Sequence, residues 1–117
     1  MKFTTIVKAA LKQAAKSSHK HKLGAVIFKH GKIISKGYNQ TSRGYSFNYG
    51  HWEGSLHAEL AAIIAARTDL KGSSILVARS NHRLAKPCSC CFAAIKASGI
   101  KNIYYTTEFG VDKEKVM

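Results

Sequence analysis

Acidic residues are scarce in this chain. Six Asp and Glu stand against 19 Lys and Arg, which gives a formal net charge of +13. An excess of this size favours partners that are polyanionic or phosphorylated. Lysines on helix faces and in turns also serve simply to keep a small protein soluble, so the charge alone leaves both interpretations open.

Long hydrophobic runs and cysteines are scarce as well. No apolar stretch reaches the ~18 residues that span a bilayer, and the first residues form an amphipathic segment rather than a secretory signal. Three cysteines, two of them in a metal-ligand motif, do not make a disulfide framework. We therefore expect no membrane partner and an intracellular, cytoplasmic protein. Its length fits a single domain over residues 1–117, with a polar tail from about residue 108.

Apolar periodicity predicts the element order α-β-β-α-β-α-β. The expected helices cover residues 3–17, 56–67 and 87–98, and the expected strands cover 23–29, 32–38, 74–79 and 101–107. His30-Gly31 is a tight turn between the first two strands, and residues 39–54 form a long loop. A hairpin followed by two strand–helix–strand units predicts an α/β fold, with a mixed central sheet and helices on both faces.

Two short segments carry the chemistry: His57-Ala58-Glu59 and Pro87-Cys88-Ser89-Cys90-Cys91. Cys88 and Cys91 are three residues apart, so on a helix they share one face. With His57 they supply three zinc ligands, which leaves a fourth position for water, as in catalytic sites. Both segments lie at predicted helix starts, where partial positive charge favours thiolates. Glu59 is placed to move protons beside the metal.

A closed, structural zinc site would need a fourth ligand. The sequence offers Cys90, His51 and His82. Cys90 points to a different helix face from Cys88, and Glu59 would have no role in a closed site. The open site is therefore favoured, and Cys90 is interpreted as a small core residue.

The order of these segments resembles the cytidine and deoxycytidylate deaminase superfamily, whose zinc-dependent base deaminases carry an H-x-E … P-C-x-x-C signature. The resemblance continues over the hairpin 23–39, the segment 57–63 and the segment 86–106. It is closest to short deoxycytidylate-deaminase-like forms, including viral ones. It implies a three-layer cytidine-deaminase-like fold and one zinc ion per chain.

The resemblance also implies roles for individual residues. His57, Cys88 and Cys91 would be the metal ligands and Glu59 the catalytic proton shuttle. Asn39 would contact the sugar of the substrate, although a turn residue that closes the strand also explains it. Backbone N–H groups around Ala58 would hold the base. Two aromatic residues complete the candidate substrate contacts, Trp52 and Tyr104.

Three functions remain open at this point. The first is zinc-dependent hydrolytic deamination of cytosine to uracil on a nucleotide, deoxycytidylate by preference. The second is deamination of a base in single-stranded DNA or RNA, or of adenosine in tRNA. The third is a non-catalytic, zinc-stabilised nucleic-acid-binding module, against which Glu59 speaks. The net charge favours the second, as does a loop that interleaves aromatic residues with cations: Arg43, Tyr45, Phe47, Tyr49, His51 and Trp52. The same aromatics could instead anchor the loop or line a subunit interface.

The C-terminal end leaves a question about assembly. The resemblance implies a fifth strand, yet residues 111–117 are expected to form at most a short helical turn. Either the fold is a minimal form or another subunit completes the exposed sheet edge, as a homo-oligomer would.

Overall fold

The computed structural model of the chain describes residues 3–17, 22–41, 55–80, 85 and 89–116. Two short strands pair with each other, and the other strands form the main sheet. In chain order the elements are α1 (Phe3–Ala15), β1 (Leu23–Lys29), β2 (Lys32–Tyr38), β3 (Gln40–Thr41), β4 (Ser55–Leu56), α2 (Ala58–Ala65), β5 (Ser74–Arg79), α3 (Ser89–Ala97), β6 (Asn102–Thr107) and β7 (Gly110–Lys115). None of the described helices is long and apolar enough to cross a membrane.

The main sheet has five strands in the order β2-β1-β5-β6-β7. The β5–β6 pair is parallel and the other pairs are antiparallel, which confirms the predicted mixed sheet. The predicted tight turn is also confirmed. His30 and Gly31 both have positive φ, 52° and 75°, as a two-residue type I′ hairpin turn requires.

Helices cover both faces of this sheet, so the predicted layers are confirmed. On one face α1 buries Ile6 and Ala10 against Val26 and Leu76. On the other face α2 packs against alternate side chains of the same strands. This second cluster includes Ala25, Ile27, Ala58, Ala62, Ile75, Val77, Ile95 and Ile103.

The C-terminal prediction is wrong, because the chain supplies its own fifth strand. β7 pairs antiparallel with β6 from Asn102↔Lys115 to Thr107↔Gly110. Beyond it, the buried Val116 donates its N–H to the carbonyl of Lys101 at 3.0 Å. The β6 edge therefore needs no strand from another subunit.

The predicted loop over 39–54 needs a similar correction at its ends. Gln40 pairs with Leu56 and Thr41 with Ser55, so the loop is closed at its base by a short two-stranded sheet. Pairing also removes Leu56 from the predicted helix, which begins at Ala58. Residues 42–54 lie outside the described part of the chain.

Gly37 allows α2 to approach the sheet. A Cβ at this position would lie 2.5 Å from the backbone N of Ala62 and 2.8 Å from the carbonyl O of Ala58. Since real Cβ atoms do not come so close to backbone atoms, only glycine lets this strand and the start of α2 touch. The position of the first turn of α2 thus depends on one missing methyl group.

We predict that Gly37→Ala lowers the free energy of unfolding by about 1–3 kcal/mol, because the helix backbone must move away from the strand. The neighbouring Lys36→Ala is the control, since Lys36 is exposed on the same strand. Urea denaturation followed by circular dichroism measures both. Equal stability of Gly37→Ala and Lys36→Ala would contradict the close approach.

Candidate active site

His57 stands between β4 and α2 as the residue that precedes the helix. Its backbone is extended, with φ −69° and ψ 151°, and its ring does not cap the helix. Its carbonyl accepts the first hydrogen bond of α2, from the N–H of Ala61 at 2.9 Å. The imidazole turns instead towards α3, where Nδ1 lies 3.3 Å from Sγ of Cys91.

Cys91 brings the two helix starts together. Its side chain is fully buried and packs with Leu60 and Ala61 of α2 and with Ala94 of its own helix. The sulfur also hydrogen-bonds the carboxyl group of Glu59. One atom of α3 thus contacts the imidazole and the carboxyl group that the sequence placed two residues apart.

Glu59 lies in the first turn of α2 and is only 4% exposed. Burial raises the pKa of this carboxyl group above its usual value, because the charged form is poorly solvated there. Hydrogen bonds from its own backbone N–H and from Cys91 oppose that rise and are smaller effects. A buried carboxyl group with a raised pKa holds a proton more readily near neutral pH, as a proton carrier must.

The described atoms of this site fit a zinc ion. Imidazole nitrogen and thiolate sulfur are preferred zinc ligands, and a tetrahedral ion with ordinary bond lengths would separate them by about 3.5 Å. The observed 3.3 Å between His57 Nδ1 and Cys91 Sγ is close to that separation. Within the described ranges, no group of three His, Cys, Asp or Glu side chains is arranged to hold a metal. Cys88, the third predicted ligand, lies outside those ranges, as do His51 and His82.

Asn39 is brought next to His57 by the short sheet. Since Gln40 pairs with Leu56, the antiparallel register places the residues that flank them, Asn39 and His57, side by side. The buried Asn39 is held by three hydrogen bonds. Its Oδ1 accepts from the N–H of Leu23 at 2.9 Å, its N–H donates to the carbonyl of Leu23 at 3.1 Å, and its carbonyl accepts from the hydroxyl of Ser17 at 2.9 Å. These contacts give Asn39 a structural role, and contact with a sugar stays a prediction.

The other predicted substrate contacts lie in different parts of the molecule. Ala58 is buried at the start of α2, beside the site. Tyr104 lies on the opposite face of the sheet, where its ring is 5.0 Å from that of Phe3 and 5.9 Å from that of Phe28. The structure therefore does not bring Tyr104 together with His57 and Cys91. Trp52 lies outside the described residues.

Two buried hydroxyl groups support the site and were not predicted from the sequence. Ser17 holds the carbonyl of Asn39, as described above. Thr106 accepts a hydrogen bond from the N–H of Arg79 through Oγ1 at 3.1 Å, and its carbonyl accepts from the N–H of Ala85 at 2.9 Å. Thr106 thereby joins the end of β5 to Ala85. A serine after a helix and a threonine in a strand are common, so the sequence offers no signal for either role.

Comparison with known proteins gives a consistent result. The family model described as "Cytidine and deoxycytidylate deaminase zinc-binding region" matches residues 1–107. An uncharacterized deaminase from the luxG 3′ region of Aliivibrio fischeri is 38% identical over 88 residues, which cover 70% of this chain. The chain spans 56% of the length of that relative.

Solved structures show the same fold. The dCMP deaminase of the cyanophage S-TIM5 is 27% identical, with a TM-score of 0.61 over 90% of this chain and 84% of that one. That protein has also been solved in complex with dCMP and dUMP. A cytidine deaminase from Burkholderia pseudomallei has a TM-score of 0.73 over 99% of this chain and 94% of that one. At 20% identity the latter likeness concerns the fold, and it confirms the predicted cytidine-deaminase-like architecture.

We predict that His57→Ala and Cys91→Ala each lose bound zinc, because each removes one ligand of the proposed set. Cys90→Ala is the matched control, with the same chemical change one residue away, and should retain the metal. Zinc per chain is measured by inductively coupled plasma mass spectrometry after gel filtration, and circular dichroism reports folding. A folded Cys91→Ala protein with its full zinc content would contradict the assignment.

A second prediction separates the two roles of Asn39. Asn39→Leu leaves the buried N–H of Leu23 without its side-chain acceptor and should lower the free energy of unfolding by about 1–3 kcal/mol. Asn39→Asp keeps an oxygen at that position and should lower it less. Urea denaturation measures the pair. Equal losses for the two variants would mean that Oδ1 does not have the structural role described above.

Proposed function

The chain belongs to the cytidine and deoxycytidylate deaminase family, and on that premise we propose that it is a hydrolytic deaminase that converts a cytosine base to uracil with release of ammonia. The observation that carries this proposal is the position of the Cys91 sulfur. It contacts the ring of His57 at 3.3 Å and also the carboxyl group of Glu59. Two proposed metal ligands and the proposed proton carrier thus lie in contact near the starts of two helices.

In this proposal the chain's own residues hold a metal and move protons. His57, Cys88 and Cys91 would hold zinc, which when bound acts as a Lewis acid and makes hydroxide available at neutral pH. The Glu59 carboxylate accepts one proton from the attacking water and gives it to the ring nitrogen N3. It then accepts the remaining proton of the new hydroxyl group at C4 and gives it to the departing amine, so that ammonia leaves and the C4 carbonyl of uracil forms. Burial favours this role, because the protonated carboxyl group is stable between the two transfers.

A cytosine nucleotide, with deoxycytidylate first, is the substrate that we propose. The support is the likeness to a dCMP deaminase, which at 27% identity extends over most of this chain. The second candidate is a base within a single-stranded nucleic acid. It is supported by the net charge of +13, which a mononucleotide does not require.

We predict that Glu59→Gln keeps its zinc and lowers kcat by about 10²–10⁴-fold, because the amide has nearly the same shape but cannot carry the proton. Glu108→Gln is the control, since Glu108 is exposed in the β6–β7 turn. Uracil formation from deoxycytidylate is followed by mass spectrometry. If Glu59→Gln turns over at the wild-type rate, Glu59 is not the proton carrier.

A panel of substrates tests whether the deaminated base belongs to a mononucleotide or to a nucleic acid strand. The zinc-loaded protein is incubated separately with deoxycytidylate, cytidine, a cytosine-containing single-stranded oligonucleotide and tRNA, and uracil or inosine is measured. Uracil from deoxycytidylate supports the first candidate, and uracil from the oligonucleotide supports the second. No product from any of the four would contradict the proposed deaminase activity.

A further inference from the structure

Helix α1 carries a row of lysines on its outer face. Ile6, Ala10, Gln13 and Ala14 are its buried residues, so the exposed Lys8 and Lys12 point away from the sheet. Lys16 follows in the turn that closes the helix, where its N–H donates to the carbonyl of Gln13 at 3.0 Å. The three residues are spaced by four positions, which places three positive charges along about 12 Å of one face. We call Lys8, Lys12 and Lys16 the lysine row.

The row has no acidic residues on its own helix to balance it. Like charges four residues apart on a helix repel each other, and α1 contains no Asp or Glu. Glu59 is buried in the active site, on the other side of the sheet from α1. The other acidic residues among the described ones lie in the α2–β5 connection and in the β6–β7 hairpin, at Asp69, Glu108, Asp112 and Glu114. With no acidic residue of its own helix beside it, such a row favours an anionic partner.

The C-terminal end of the row lies at the end of the sheet where β1 begins and where β2 and β5 end, which is also the end nearest the candidate active site. Ser17, next to Lys16, hydrogen-bonds the carbonyl of Asn39 at 2.9 Å. Asn39 precedes Gln40, and the register partner of Gln40, Leu56, precedes His57. The exposed Lys22 stands at the same edge. Its carbonyl accepts from the N–H of Ser80 at 3.1 Å, immediately after β5 and before the connection to α3. The line of cations along α1 therefore leads towards the site rather than away from it.

We propose that the lysine row and Lys22 bind the phosphate backbone of a single-stranded nucleic acid and guide one of its bases to the active site. The inference rests on the proposed deaminase activity and favours its second candidate substrate, a base within a single-stranded nucleic acid. A strand suits the geometry better than a mononucleotide, because a single phosphate next to the base cannot reach charges spread over the length of a helix. The binding energy would come mainly from release of counterions, so that it depends steeply on salt.

The test compares two triple variants with the same change in charge. Lys8→Gln/Lys12→Gln/Lys16→Gln removes the row. Lys71→Gln/Lys96→Gln/Lys101→Gln removes three exposed lysines at the opposite end of the sheet, where Gly72 and Lys101 are bonded to Gly99 and Ser73. Binding of a fluorescein-labelled oligothymidine with one central cytosine is measured by anisotropy between 50 and 200 mM salt, about a fourfold range. Circular dichroism checks that all proteins are folded.

Loss of the row should weaken binding on the order of 10- to 100-fold at 0.1 M salt and reduce the slope of log K against log salt by about 2. The second triple variant should bind like the wild type. A third variant with Lys→Arg at the three row positions keeps the charge and should also bind like the wild type. Turnover of the oligonucleotide should change in the same way as its binding. In the row variant alone, kcat/KM for the oligonucleotide should fall by a similar factor relative to kcat/KM for deoxycytidylate.

Three results would overturn the proposal. Equal weakening in both triple variants would mean that net charge, not the row, attracts the strand. Wild-type turnover of deoxycytidylate without any binding of the oligonucleotide would remove the proposal and leave the proposed function intact. If the row is needed for binding to phosphatidylserine vesicles but not for binding to the oligonucleotide, its partner is a membrane surface. If no substrate is deaminated, the proposed function fails, while the binding comparison still tests the row.

Discussion

The active site depends on a buried contact between groups from two helices. The sulfur of Cys91 in α3 lies 3.3 Å from the ring of His57 and hydrogen-bonds the carboxyl group of Glu59. His57 and Glu59 both stand at the start of α2. Polar groups in such a buried place are stable only when they are paired or bound to a metal. The two helix starts must therefore stay together, and much of the surrounding structure serves to hold them in place.

Each helix start is positioned by a different device. Gly37 lets the first turn of α2 lie directly against β2, since a Cβ there would be 2.8 Å from the carbonyl O of Ala58. The β3–β4 pair fixes the residue before the helix by joining Leu56 to Gln40. On the side of α3, Thr106 hydrogen-bonds Arg79 and Ala85 and so holds Ala85, four residues before the helix, against the end of β6. These contacts are made by backbone atoms and small side chains, which leave the ring and the carboxyl group available for chemistry.

What could be predicted from the sequence is what depends on neighbours along the chain. The strands 23–29, 32–38 and 74–79 have their predicted bounds. The first and the third are rich in buried apolar residues, and the second follows from the turn at His30-Gly31, which needs only local geometry. The closeness of His57 and Cys91 was also predicted, but from the motif and the family resemblance rather than from periodicity.

The errors concern pairing between distant segments. β7 is an edge strand whose Asp112, Lys113 and Lys115 are exposed, so it has the composition of a tail. Tyr104 was assigned to the site, but its register neighbour is Leu76, a residue of the cluster under α1. Only the sheet register decides which face a strand residue occupies, and a shift of one position would reverse it. The oxygen of Asn39 is similarly used by Leu23, a partner 16 residues away.

The candidate site and the lysine row lie on opposite faces of the sheet. The face under α2 and α3 contains the buried groups of the candidate site, where burial raises the pKa of Glu59. The face under α1 contains a closely packed apolar layer with lysines outside it, where repulsion between neighbours destabilises the helix by about 0.2–0.5 kcal/mol per pair. Packing of Ile6, Ala10 and Ala14 outweighs such a loss, since burial of one aliphatic side chain contributes about 1.5–3 kcal/mol. The fold can therefore carry a row of lysines on the face of the sheet opposite Glu59, and the hydrogen bond from Ser17 to Asn39 joins the end of α1 to the end of β2.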